Sequence, residues 1–269
     1  MEPGNNGNAT QQAAEEGKGE VILSLLVSYN GEPFAGFARQ PGQLTVQGSI
    51  EEALGLVFRR PIETVCAGRT DSGVHARGQV VSFSLSEEEL ACRSEFKLLR
   101  SLNALTHEDI SIKSVRRQAN DFSARFSCTM REYKYFICTD AYKPLLMKGF
   151  CWHIPKELDL EAMRVAAAYL IGEHDFKSFC MAASAEGKST MRNVFSIDVS
   201  REDAWGENLV VITVKGNAFL HSMGRTIGYV GGSWPWTAQA RMDRGGARGA
   251  QSCGGGRKRA GAGLGVLER

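Results

Sequence analysis

The stretch AGRTDSGVHA, residues 67–76, sets a carboxylate between an arginine and a pair of glycines, directly after the apolar residues Val65, Cys66 and Ala67. Gly68 and Gly73 bracket Asp71 and permit backbone angles that other residues resist. Arg69 stands two residues before Asp71 and Arg77 six after it. Asp-Ser-Gly is ordinary turn chemistry, but a turn needs none of these charges. Asp71 therefore either shapes a loop or reacts. A proton shared between two carboxylates, as in aspartic proteases, also uses Asp-Ser-Gly. Here Arg69 and Thr70 precede the aspartate and no second such triplet occurs, and a flanking cation is poor company for a shared proton.

The other reactive side chains form no cluster. Cysteines at 66, 92, 128, 138, 151, 180 and 253 are odd in number and include no C-x-x-C. Several lie in apolar runs, which points to reduced core thiols in a cytoplasmic protein rather than a disulfide framework or zinc site. The five histidines are scattered without ligand spacing. No metal or cofactor is expected.

The elements around Asp71 follow from periodicity. VILSLLVSY, residues 21–29, is a β-rich run ending at the turn pair Asn30-Gly31. Thr45 caps a helix on which Val46, Ile50, Ala53, Leu54 and Val57 recur at helical spacing. Pro61 separates it from a second strand over 62–68. After the Asp71 loop come a third strand, QVVSFSL, a helix around 94–105 and a strand, DISIKSVRR. The order β-α-β-β-α-β is the ferredoxin-like split arrangement. A second half starts near Phe122. In REYKYFICT, Tyr133, Tyr135 and Ile137 share one face of a strand. A helix begun by Asp159 follows, then strands MRNVFSIDVS and NLVVITVKG and a helix start over 217–227. The expected fold class is α+β, with two lobes whose sheets lie side by side.

Composition bounds the rest. At 269 residues, 43% hydrophobic and 23% charged, the chain is long enough for one large domain or two small ones. No run of about 18 apolar residues occurs, so no membrane helix is expected. Residues 1–19 lack the basic start and apolar core of a secretory signal and read as a disordered leader. The net charge of +2 divides into +5 for residues 228–269 and −3 for the remainder. A nucleic-acid partner would need a local basic surface rather than overall charge.

Six blocks then carry a resemblance: YNGEPFAGFARQ, TVQGSIEEAL, AGRTDSGVHARGQVVSF, FSARFSCTMREYKY, GEHDFKSF and GNAFLHSMGRTI. In this order, over roughly residues 20–227, they resemble tRNA pseudouridine synthase A. The resemblance implies two ferredoxin-like lobes, 20–118 and 119–227, forming a pseudouridine synthase fold with a central cleft. It also implies a cytoplasmic, homodimeric isomerase without metal or cofactor. The implied partner is tRNA, modified at positions 38–40 of the anticodon stem-loop. By the same resemblance Asp71 is the catalytic carboxylate, attacking C1′ of the ribose or C6 of the base. Arg69 matches the arginine of base flipping, Tyr133 the tyrosine that stacks on the target base, and Arg225 the arginine that pairs with the aspartate. His75 and Gln79 would organise the loop, and Arg39, Arg77 and Arg125 would join the substrate surface.

Without the resemblance each of these has a plainer place: Asp71 a turn, Tyr133 a strand core, Arg225 a helix surface, His221 a packed or rim position, Arg131 and the other arginines solvated charges. The chain departs from the family after about residue 227. Gly224 and Gly228 interrupt the last helix, and residues 228–269 hold 12 of the 30 glycines without sustained periodicity. A reading-frame slip near 226–228 would leave the second lobe incomplete and the tail disordered; a genuine RNA-binding extension is the other origin for it. An incomplete lobe would also make a non-catalytic tRNA-binding protein, or inactive homologue, the alternative function.

Overall fold

A computed structural model describes residues 20–91, 93–180, 187, 189–233 and 264–268. The expected leader, Cys92, Cys253 and most of the expected tail lie outside the described residues.

The first half is β1 (Glu20–Tyr29), α1 (Val46–Phe58), β2 (Val65–Cys66), β3 (His75–Ser86), α2 (Glu87–Ala91), α3 (Glu95–Leu105) and β4 (Ile110–Arg117). Alternate residues Val21, Leu23, Leu25, Val27 and Tyr29 of β1 are buried, as a strand with one face on the core requires. The hydroxyl of Thr45 accepts the Gly48 amide at 3.1 Å and so caps α1; Ser94 caps α3 in the same way. Ile50 and Leu54 of α1 and Leu98 and Leu102 of α3 join β1 in the core. The strand expected over 62–68 shrinks to two residues. Its backbone bonds go elsewhere: the Glu51 carboxylate accepts the Thr64 amide at 3.0 Å, and Gln47 donates to the Thr64 carbonyl at 3.0 Å.

The second half contains β5 (Arg131–Cys138), β6 (Trp152–His153), α4 (Leu160–Ala168), β7 (Gly172–Asp175), β8 (Met191–Ala204), β9 (Glu207–Gly216), α5 (Met223–Ser233) and β10 (Leu264–Glu268). Asp159 caps α4 through the Ala162 amide. Tyr133, Tyr135 and Ile137 are buried together on one face of β5.

The ten strands among the described residues form one sheet in the order β4-β1-β3-β10-β5-β9-β8-β7, with β2 on β3 and β6 on β5. The order β4-β1-β3-β2 in the first half recurs as β10-β5-β9-β8 in the second. β10 runs parallel to β3 and antiparallel to β5. The two halves thus join edge to edge through a strand drawn from the segment expected to be an unstructured tail.

The last helix also differs from expectation. It starts at Met223 rather than near Asn217, because Asn217 is tied to β8: its amide donates to the Asn193 carbonyl and its side chain accepts the Asn193 amide. It then runs through Gly228. A Cβ there would lie 2.6 Å from the Tyr135 ring, so this glycine lets α5 press onto β5 and is not a break.

Candidate active site

The loop between β2 and β3 carries Asp71, and nearly every residue around it is held. The Ala67 amide donates to the Val80 carbonyl at 3.0 Å. The buried Gln79 side chain donates to the Gly68 carbonyl. Thr70 is fixed twice, its hydroxyl 2.7 Å from that of Tyr29 and its carbonyl accepting the Phe37 amide at 3.0 Å. Ser72 donates to the Phe34 carbonyl at 3.2 Å, and the Val74 amide closes a turn onto the Asp71 carbonyl at 3.1 Å. Burial pushes the Tyr29 hydroxyl well above its ordinary range, so it stays protonated.

His75 ties this loop to the second half. Its Nδ1 accepts the Gly31 amide at 3.1 Å, which puts the proton on Nε2, and Nε2 donates to the Gly149 carbonyl at 3.2 Å. Burial lowers its pKa, and the Phe150 ring lies 4.5 Å away. Two glycines let the 31–36 turn reach the loop: a Cβ on Gly31 would strike the Val74 backbone, and Gly36 takes a φ of 120° against Thr70.

Asp71 is left with its carboxylate partly exposed, and it faces two bases from the second half. Arg225 Nη2 is 3.5 Å from Oδ2, and His221 Nε2 is 3.5 Å from Oδ1. Arg225 lies in the first turn of α5, where the helix field disfavours a cation and favours a carboxylate; Asp71 supplies that charge. A carboxylate flanked on both oxygens is restricted in orientation.

Of the other expected residues, Tyr133 is buried with its ring 4.5 Å from that of Phe219, edge to face at 64°. Arg69 is exposed two residues before Asp71. Arg39 pairs with Glu51 at 3.2 Å on α1. Arg77 is exposed, and Arg125 lies 5.4 Å over the exposed Phe126 ring. The described contacts do not bring these three to Asp71.

Two residues of the site were passed over in sequence. His221 reads from sequence as a packed or rim residue, and no spacing signal marks it; the turn before α5 brings it to Asp71 beside Arg225. Arg131 read as a solvated charge, although it is in phase with Tyr133, Tyr135 and Ile137 on the buried face of β5. Its guanidinium holds the Ala67 carbonyl at 2.6 and 3.1 Å and the Asn217 carbonyl at 2.6 Å. Among the described residues no group of His, Cys, Asp and Glu could hold a metal ion, and no helix is long and apolar enough to cross a membrane.

The doubled split sheet is that of a pseudouridine synthase fold, and the family model described as tRNA pseudouridine synthase matches residues 166–231. That match runs four residues past the break expected at 227. The tRNA pseudouridine synthase A of Thermotoga neapolitana is 37% identical over 205 residues, covering 76% of this chain and 80% of the relative. The same-named protein of Yersinia pestis is 40% identical over 205 residues, covering 76% and 74%. That of Pectobacterium atrosepticum is 37% identical over 214 residues, covering 80% and 72%. The chain belongs to the tRNA pseudouridine synthase A family.

Proposed function

We propose that this chain isomerises uridine to pseudouridine at positions 38–40 of the tRNA anticodon stem-loop, with Asp71 as the catalytic carboxylate. The observation that carries the proposal is the bracket on Asp71, whose oxygens face Arg225 and His221 at 3.5 Å each. The target base leaves its stack and enters the site, helped by the exposed Arg69 beside the loop. The Asp71 carboxylate attacks either C1′ of the ribose or C6 of the base. The bond between C1′ and N1 breaks, the uracil turns, C1′ bonds to C5, and the bond to Asp71 breaks to return the free carboxylate. C5 gives up its hydrogen as a proton and N1 gains one, so the product is an isomer. Tyr133 lies against the turning base. Arg39, Arg77 and Arg125 offer exposed cations for the RNA backbone, which suits a body whose overall charge is not basic.

The presence of α5 and β10 favours this catalytic function over a tRNA-binding protein without activity. The family also suggests a cytoplasmic homodimer, which light scattering tests. To test the proposed position, unmodified tRNA is incubated with the chain and pseudouridine is mapped by carbodiimide labelling and primer extension. Stops at 38–40 that vanish with Asp71→Asn are expected. Stops elsewhere, or stops that survive the substitution, would overturn the proposal.

A further inference from the structure

We infer that Arg131 is a positioning residue that aligns the two halves of the active site. The inference rests on the functional assignment above for its kinetic consequence, but not for its geometry.

Asp71 and its partners come from opposite halves of the sheet, so their distances depend on something that fixes one half against the other. Arg131 is placed for this. It opens β5, with Gly216 of β9 as its register partner on one side and Glu268 of β10 on the other. Its Nε and Nη2 donate to the Ala67 carbonyl, four residues before Asp71, at 3.1 and 2.6 Å. Its Nη1 donates to the Asn217 carbonyl at 2.6 Å, four residues before His221. Nη2 also reaches the Arg125 carbonyl at 3.4 Å, on the connection between the halves.

One planar fork thus joins the root of the nucleophile loop, the root of the turn that leads into α5, and the chain between them. These partners are carbonyls, so the bonds fix backbone positions, and bonds from a charged donor are the stronger kind. Asn217 is itself anchored to β8 through Asn193, so the clamp pulls against a fixed point. A lysine could keep the charge but not the fork, since its ammonium is a single centre.

Arg131→Lys in the full chain tests this, with three measurements. Hydrogen exchange is expected to quicken over 67–74 and 216–222 while β1 and β4 keep their protection. The Kd for tRNA and its salt slope should stay within about twofold. The single-turnover rate should fall about 100-fold, the effect of displacing reacting groups by about 1 Å. Arg131→Met should show the same pattern, because neither substitution retains the fork. Faster exchange spread evenly over the protein would make Arg131 a stabiliser only and overturn the inference. So would weaker tRNA binding with a shallower salt slope, which would make it a phosphate contact. If the natural chain forms no pseudouridine, the functional assignment fails, and the exchange pattern alone decides for or against the clamp.

Discussion

Gly31→Ala should disable the site from outside it. The Cβ added there would lie 2.1 Å from the Val74 carbonyl oxygen, 2.5 Å from its carbon and 2.9 Å from its nitrogen, where real contacts stay above 3.0 Å. The Val74 backbone must therefore retreat by about 0.9 Å, and backbone cannot swing aside as the end of a long side chain does. Val74 is bonded to the Asp71 carbonyl and Gly31 to His75, so the retreat carries the Asp71 loop with it. A shift of about 1 Å at a reacting group costs roughly 100-fold in rate. The overpacking itself should cost about 1–3 kcal/mol, or about 2–4 °C in Tm for each kcal/mol in a chain of this size. The matched control is Gly55→Ala on α1, where the new Cβ meets only the Arg60 carbonyl at 3.5 Å. It should gain up to about 1 kcal/mol of helix propensity and leave activity unchanged. The assay is single-turnover pseudouridine formation beside thermal unfolding. Gly31→Ala at the full natural rate would refute the claim that this contact sets the loop.

Three further outcomes are expected. His75 has its pKa lowered by burial from the ordinary 6.5, so the stability it contributes is present above that value and lost as pH falls towards the folded one; Tm should drop between about pH 7 and 5, and less so in His75→Asn. Arg60 grips Glu89 through two bonds, at 2.7 and 3.0 Å, and holds its carboxyl at about 2 rather than 4.5. Because Arg60 is half exposed, Glu89→Gln should cost only about 1 kcal/mol in urea unfolding at neutral pH, a deficit that disappears as pH falls from 4.5 through about 2. Gly228→Ala trades a helix gain of about 1 kcal/mol against overpacking of about 1–3 kcal/mol on the Tyr135 ring, and chemical unfolding should show a net loss.

Local signals carried much of this fold. Thr45, Ser94 and Asp159 announce their helices by capping chemistry, β1 by a β-rich apolar run ended at Asn30-Gly31, and β5 by alternation. The loop block around Asp71 marks it in sequence as the candidate carboxylate, and the structure sets Arg225 and His221 beside it. Long-range partners were less so. Nothing within residues 62–64 says that Glu51 and Gln47 will take their backbone bonds. Nothing in the glycine-rich run before LGVLE says that these five residues will lie between β3 and β5, since a strand so short has little period to read. Gly228 looked like a helix fault because propensity is local, whereas its reason, the Tyr135 ring, lies across the packing interface. Arg131 had the right phase on β5, but its partners are main-chain carbonyls, which leave no mark in side-chain spacing.

The central claim is that Asp71 does the chemistry in this chain. It is tested most directly by tritium release from tRNA labelled at uridine C5, since C5 must lose its hydrogen to become the glycosidic carbon. The natural chain should release tritium, and Asp71→Ala, folded and still binding tRNA, should release none. Equal release from both would contradict the assignment of Asp71, and no release from a folded natural chain that binds tRNA would contradict the assignment of activity.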